Sequence, residues 1–80
     1  MKLPRDLGGN DLARALRRLG YEVSRQTGSH LRLTIRLPSE HHVTIPLHDE
    51  LRVGTLAAIL DDVAAHFGIS RNELTDRLFK

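Results

Sequence analysis

The sequence predicts a small α+β domain with the element order α-β-β-β-α-α, and two patterns lead to this fold class. Every second residue from Leu31 to Leu37 is apolar, which is typical of a strand that buries one face and exposes the other. Apolar residues recur at helical spacing before this strand, in residues 12–19, and after it, in residues 56–63. A chain of 80 residues suffices for one sheet covered by a few helices. We therefore expect residues 1–80 to form a single domain.

The first helix is predicted to begin at Asn10, whose side chain is suited to capping, and to end at Gly20. Its apolar face consists of three leucines: Leu12, Leu16 and Leu19. The opposite face carries three arginines: Arg14, Arg17 and Arg18. This basic face is suited to a nucleic-acid backbone, but a plain solvated face is the favoured interpretation.

A three-stranded antiparallel meander is predicted next. Its first strand, Tyr21 to Gln26, buries Tyr21 and Val23 and turns at residues 27–29, with Gly28 available for a positive φ. Because inward residues must oppose inward residues, we expect these pairs: Val23–Leu33, Ser24–Arg32 and Gln26–His30. A second turn over residues 38–42 leads to the third strand, which Pro46 ends. There we expect these pairs: Val43–Leu37, Thr44–Arg36 and Ile45–Ile35.

Two helices are predicted to close the chain. Thr55 is a suitable N-cap for the first of them. Its apolar stripe consists of Leu56, Ile59, Leu60 and Val63. The second, over about residues 70–79, opens with a capping box of Ser70 and Glu73 inside a hydrophobic staple of Ile69 and Leu74.

Composition narrows the classes of function. The chain has no cysteine, which excludes disulfides and thiolate metal sites. No apolar run approaches the roughly 20 residues that cross a membrane, and residues 1–4 do not open a signal peptide. We therefore expect a cytoplasmic protein without membrane contact.

Basic residues are concentrated in the first half of the chain. Residues 1–36 hold eight basic and three acidic side chains, a balance of +5, whereas residues 37–80 hold four and seven, a balance of −3. Ten of the twelve basic residues are arginines, which bind phosphate groups in a bidentate manner. The charge pattern indicates an anionic partner such as nucleic acid.

The exposed face of the second strand is the candidate site. It carries His30, Arg32, Thr34 and Arg36 in one row that starts directly after Gly28 and Ser29. An imidazole and two guanidiniums in such a row can grip a phosphate and move a proton beside it. The alternative is that these residues serve only solubility, as they do on the open face of many antiparallel sheets.

Four short segments together resemble a known family. They are Gly20-Tyr21-Glu22-Val23, Gly28-Ser29-His30, Val43-Thr44-Ile45-Pro46-Leu47-His48 and Leu51-Arg52-Val53-Gly54-Thr55-Leu56. With these segments the chain resembles the YcfA-like branch of the HicA family, the mRNA interferase toxins of HicA–HicB toxin–antitoxin pairs. The likeness covers about residues 12–68, within a domain core of about 10–68, and the order of elements is that of a double-stranded-RNA-binding domain.

The resemblance implies a toxin that cuts mRNA with the histidine of its Gly-Ser-His motif, here His30, and a HicB-like antitoxin that covers that face. RNA supplies its own nucleophile, the 2′-hydroxyl, so the protein need only move protons and stabilise charge on the phosphate. That route requires neither a metal ion nor another cofactor. An acidic partner surface would be favoured by Arg25, Arg32 and Arg36.

Several residues are candidates for supporting roles. We assign Arg32 to the phosphate, with Arg36 and the arginines of the first helix as further RNA contacts. Gln26, opposite His30 in the expected register, is a candidate for orienting the imidazole, and Ser29 for a hydrogen bond or turn cap. His48 is a candidate for the second proton transfer. For Gln26 and Ser29 an ordinary hairpin role is the favoured interpretation, and for His48 a turn or capping role is at least an equal alternative.

The other histidines are expected to have no part in catalysis. His41 and His42 are predicted to lie exposed in the second turn, and the helix dipole accounts for His66. Five histidines raise the alternative of a zinc site, but no two of them have the i, i+4 helical spacing. Two functions therefore remain: an endoribonuclease centred on His30, and a non-catalytic RNA- or protein-binding module that uses the arginines.

Overall fold

The computed structural model describes residues 6–79 and has the predicted order of elements. The elements are α1 (Gly9–Arg17), β1 (Glu22–Gln26), β2 (His30–Ile35), β3 (His41–Pro46), α2 (Val53–Phe67) and α3 (Arg71–Phe79). Within the described residues the strands form one antiparallel sheet in the order β1-β2-β3. The α+β prediction is therefore confirmed.

The helices cover one face of this sheet and leave the other open. The predicted core residues Leu33, Ile35, Val43 and Ile45 are all buried. The predicted exposed residues are indeed exposed: His30, Arg32 and Arg36. Two residues expected to be buried are exposed: Leu37 is 77% exposed because β2 ends at Ile35, and Val23, although on the covered face, is 44% exposed because it lies on an edge strand.

α1 begins earlier than the sequence predicts. Gly8, not Asn10, is its N-cap, and the backbone N–H of Gly8 donates to Asp11 Oδ2 at 3.0 Å. A side chain at Gly8 or Gly9 would collide with the backbone of the segment that joins β3 to α2. The two glycines therefore let the start of α1 lie directly against that connection. Gly20, with φ +115°, turns the chain after α1 into β1.

β1 and β2 pair around a β-bulge. Val23 pairs with Leu33 as predicted, but Ser24 is an extra residue, so that Arg25 pairs with Arg32 and Gln26 with Leu31. The predicted pairs Ser24–Arg32 and Gln26–His30 are therefore wrong. The turn is also tighter than predicted, because Thr27 N–H donates to the His30 carbonyl at 2.9 Å and leaves residues 28–29 as the loop. Gly28 does not take the positive φ that was expected of it.

The register between β2 and β3 differs from the prediction by four residues. Val43 pairs with Leu33, Thr44 with Arg32, and Ile45 with Leu31. Because four is an even number, every side chain remains on its predicted face. The physical cause is Pro38, which has no N–H to donate and does not continue a ladder. β2 therefore stops before it, and the loop spans residues 36–40.

α2 and α3 complete the core. α2 begins at Val53 with Arg52 as its N-cap, two residues before the predicted Thr55, and ends at Gly68 in the left-handed conformation. α3 has its predicted cap, since Ser70 Oγ accepts the Glu73 N–H at 3.1 Å, and it buries Leu74 and Leu78. Among residues 6–79 no single helix is long and apolar enough to cross a membrane; α2 and α3, bent by 101°, meet that criterion only as a pair.

Candidate functional site

His30 opens β2 on the uncovered face of the sheet. Its backbone is fixed on both sides: its carbonyl accepts the Thr27 N–H, and the neighbouring Ser29 carbonyl accepts the Leu47 N–H at 2.8 Å. Its side chain is exposed, and Ser29 Oγ lies 2.9 Å from His30 Nδ1. The described residues provide no partner for Nε2. The imidazole is thus held through one nitrogen by its sequence neighbour and presents the other to solvent.

The β-bulge decides which residues surround this imidazole. Gln26 pairs with Leu31, whose side chain is buried under the helices, so Gln26 does not lie across from His30. Arg25 takes the place on the open face instead. Ser24 is held in the bulge by two hydrogen bonds, one from its Oγ to the Arg32 carbonyl at 3.2 Å and one from Thr34 Oγ1 at 2.8 Å.

A shallow depression on the open face contains the residues of the candidate site. It is lined by Arg25, Thr27, His30, Arg32 and Thr44. Three of these were not among the residues predicted for catalysis or RNA binding: Arg25, Thr27 and Thr44. Strict alternation from Tyr21 would place Arg25 on the buried face, where an unpaired arginine is costly. That conflict was the signal in the sequence for an irregularity in β1.

Arg32 and Arg36 differ in their surroundings. Arg32 lies between Arg25 on β1 and Thr44 on β3. Arg36 follows the last residue of β2, about 20 Å from His30 at the usual rise of a strand, and its Nη1 lies 3.2 Å from Glu40 Oε1. The structure therefore brings Arg32 into the His30 depression and leaves Arg36 at the other end of the sheet, in an ion pair.

His48 lies near the turn through its backbone. It follows Leu47, whose N–H donates to Ser29, and its own carbonyl accepts the Gly9 N–H at 2.9 Å. Its side chain is exposed, and no contact joins it to His30. His48 therefore lies at the end of the sheet where the sequence predicts it. Its side chain has no partner among the described residues, so its part in proton transfer stays a prediction.

The arginines of α1 lie on the other side of β1 from His30. Arg14 and Arg17 line a groove with Val23 and Leu31, both on the helix-covered face of the sheet. Arg18 is engaged differently: its Nη2 donates to the carbonyl of Leu78 at 2.6 Å and so ties α1 to α3. All three arginines are exposed, although Arg14 is paired with Asp11, and the edge strand separates this basic surface from the depression.

His41 is not the exposed turn residue that the sequence predicts. It lies in β3, its side chain is 17% exposed, and Tyr21 Oη lies 2.8 Å from its Nδ1 while Asp62 Oδ1 lies 3.2 Å from its Nε2. Its ring stacks on that of His66 at 4.6 Å between centroids. Burial, and to a smaller extent the charge of Asp62, raises the pKa of the Tyr21 phenol to about 12. This cluster joins α2 to the sheet.

His42 also lies in β3 and not in the loop, on the open face of the sheet. Its Nδ1 lies 2.7 Å from Thr34 Oγ1 and its Nε2 lies 3.3 Å from Glu40 Oε2. Both of its ring nitrogens are thus occupied, unlike those of His30. In residues 6–79 no three His, Cys, Asp or Glu side chains are grouped so that they can hold a metal ion.

Comparison with known families gives one match. A family model described as "HicA toxin of bacterial toxin-antitoxin" matches residues 9–64, which run from the first residue of α1 into α2 and include the whole sheet. No curated protein and no solved structure gives a significant match. α3 lies outside the matched range.

Proposed function

The chain belongs to the HicA toxin family of bacterial toxin–antitoxin systems, and we propose that it acts there as an endoribonuclease that cuts mRNA at His30. The observation that supports this function is the exposed imidazole of His30, held at Nδ1 by Ser29 and placed in one depression with Arg25 and Arg32. RNA cleavage requires at least a group that transfers protons and, beside it, a cationic side chain that binds the phosphate.

The proposed reaction uses the RNA as its own nucleophile. The 2′-oxygen forms a bond to the adjacent phosphorus, the bond from phosphorus to the 5′-oxygen breaks, and the products carry a 2′,3′-cyclic phosphate and a 5′-hydroxyl. One proton leaves the 2′-hydroxyl and one is delivered to the 5′-oxygen. Arg32 stabilises the negative charge that builds on the phosphate oxygens. The route needs no metal ion.

The contact between Ser29 and His30 suits either proton-transfer role. In both roles Nδ1–H donates to Ser29 Oγ. When Nε2 is also protonated, the imidazolium serves as the acid, and when the Nε2 lone pair is free, the neutral imidazole serves as the base. His48, whose backbone lies next to Ser29, is the candidate for the complementary role.

Membership of the family implies an antitoxin partner, and we propose that a HicB-like protein binds the open face and shields His30. The face is uncovered in this chain and carries the uncompensated charges of Arg25 and Arg32, so an acidic surface is its natural complement. Covering His30 suppresses cleavage without any change in the fold of the toxin.

The test compares two histidines on the same face. His30→Ala lowers the rate of RNA cleavage by about 100-fold or more, the usual contribution of a general acid or base, while RNA binding is retained. His42→Gln is the matched control, because His42 lies on the neighbouring strand with both nitrogens already bonded. Both variants and the wild type are assayed in the presence of EDTA, and the RNA product is analysed for its 2′,3′-cyclic phosphate end. If His30→Ala cleaves as well as the wild type, the catalytic role of His30 is wrong. If neither protein cleaves RNA, the alternative, a non-catalytic RNA- or protein-binding module, is correct.

A further inference from the structure

Two arginines face each other across β1 and β2 as a direct result of the bulge. The extra residue Ser24 shifts the pairing so that Arg25 lies opposite Arg32. Directly opposed residues in an antiparallel pair have their Cβ atoms about 5 Å apart, and like charges in this arrangement destabilise the sheet. Two hydrogen bonds hold Ser24 in the bulge, one that its hydroxyl donates to the Arg32 carbonyl and one that it accepts from Thr34.

This repulsion is not relieved within residues 6–79. Four other arginines of this segment have carboxylate partners: Arg14 with Asp11, Arg36 with Glu40, Arg71 with Asp61, and Arg77 with Glu73. Neither Arg25 nor Arg32 forms an ion pair there. Arg17, Arg18 and Arg52 also lack one, but none of the three has a second arginine directly opposite. The Arg25–Arg32 pair therefore has no neutralising carboxylate among the described residues, and its geometry suits an anionic ligand.

We propose that Arg25 and Arg32 form a clamp for one phosphate group of the RNA, and that the bulge at Ser24 exists to build it. The inference rests on the proposed function and deepens it, because it assigns a ligand to Arg25. Two guanidiniums that approach from adjacent strands can each donate to oxygens of the same tetrahedral phosphate. Thr27 and Thr44 line the same depression; Thr27 Oγ1 donates to the His30 carbonyl at 3.4 Å, which leaves the Thr44 hydroxyl as a further donor.

The position of the clamp fixes which phosphate it binds. His30 lies in the same depression, two residues before Arg32 on the open face of β2. Residues two apart on a strand are separated by roughly 7 Å, so a phosphate held by Arg32 lies within about one nucleotide of the imidazole. The clamped phosphate is thus the scissile one or its immediate neighbour.

Inorganic phosphate is the probe, and its binding is followed by NMR chemical shifts without any cleavage step. The wild type binds phosphate at the Arg25 and Arg32 signals, while Arg25→Gln and Arg32→Gln each weaken it about tenfold or more, as expected for loss of a charge-assisted hydrogen bond. Arg52→Gln is the matched control: it removes the same charge from an exposed arginine without an ion pair and leaves phosphate binding unchanged. Arg25→Lys keeps the charge, loses the planar fork and binds with intermediate affinity.

Thermal unfolding gives a second readout that a merely structural arginine would not produce. In phosphate-free buffer Arg25→Gln unfolds at the same temperature as the wild type or higher, because a repulsion is removed. Added phosphate raises the Tm of the wild type and not that of the variant. Equal phosphate effects on wild type, Arg25→Gln and Arg52→Gln overturn the clamp.

A separate arm distinguishes RNA from a protein ligand. In the His30→Ala background, Arg25→Gln weakens binding of a short RNA oligonucleotide. If it weakens only the antitoxin and leaves RNA binding intact, the pair serves protein carboxylates and the proposal is wrong. The clamp is tested independently of catalysis in this design: a failure of the cleavage assay with phosphate binding intact would refute the enzyme and not the clamp.

Discussion

Alkaline titration of Tyr21 tests the cluster that joins α2 to the sheet. The Tyr21 side chain is 1% exposed and its hydroxyl lies 2.8 Å from His41 Nδ1. Since His41 Nε2 lies beside Asp62, the arrangement that satisfies all three groups has Tyr21 O–H donating to Nδ1 and Nε2–H donating to the carboxylate. A tyrosinate would lose its donor role, be buried and face the negative charge of Asp62. Burial in the first place, and the charge of Asp62 in the second, raise the Tyr21 pKa to about 12.

The sign and size of the effect on stability follow from this shift. Between the unfolded value of 10.0 and the folded value of about 12, the unfolded chain loses the phenolic proton and the folded chain keeps it. The free energy of unfolding contributed by Tyr21 is thus constant below pH 10 and falls as the pH rises toward 12. A shift of two units corresponds to about 2.7 kcal/mol at most.

Tyr21 is the only tyrosine of the chain, and the chain has no tryptophan, so tyrosinate absorbance reports this residue alone. In the native protein we expect a midpoint near 12, and in concentrated urea a midpoint near the ordinary value of 10.0. Tyr21→Phe costs about 1–3 kcal/mol at neutral pH because His41 Nδ1 loses its donor, but it abolishes the alkaline decline. Asp62→Asn lowers the native midpoint only in part, since burial is the larger cause. A native midpoint near 10 would refute the cluster as described.

Two further predictions concern the open face. Arg32→Gln should reduce the slope of log affinity against log salt for single-stranded RNA by about 0.7, the value for one phosphate contact. Arg77 is paired with Glu73 on α3, so Arg77→Gln should leave the slope unchanged. If Arg32→Gln also leaves it unchanged, Arg36 or the arginines of α1 bind the phosphate instead. Bound antitoxin should protect His30 from chemical modification of its imidazole and slow amide exchange in β1, and a footprint confined to α2 and α3 with His30 still reactive would contradict direct occlusion.

The burial of the strands was predictable because period-two alternation depends only on the sequence. Leu33 and Ile45 were assigned to the core although the expected register of β3 was wrong by four residues, since an even shift leaves each side chain on its face. The position of His30 was predictable for the same reason: it is one of the alternate residues of β2 that face solvent, and it directly follows the turn. Local pattern and turn chemistry sufficed for both.

The neighbours of His30 were not predictable from alternation, because the bulge inserts one residue into the ladder. That single insertion moves Arg25 to the open face and Gln26 to the covered one. His41 was missed for a related reason: its strand begins earlier than the turn residues Pro38 and Ser39 indicate, and its partners, Tyr21 and Asp62, are 20 and 21 positions away. Contacts of this kind depend on how whole elements dock.

The two ends of the open face carry similar residues but differ in whether their polar groups have partners. This difference distinguishes the end that stabilises the sheet from the end that is suited to a ligand. At the far end, a chain of contacts runs from Ser24 through Thr34 to His42 and then through Glu40 to Arg36, so each polar group there has a partner within the chain. At the near end, His30 Nε2, Arg25 and Arg32 have none in the described residues. Buried or paired polar groups stabilise a fold, whereas converging unpaired ones are suited to a ligand. A row of histidine, arginine and threonine on a strand is therefore ambiguous in sequence, and the pairing of each group indicates which end of the row is suited to a ligand.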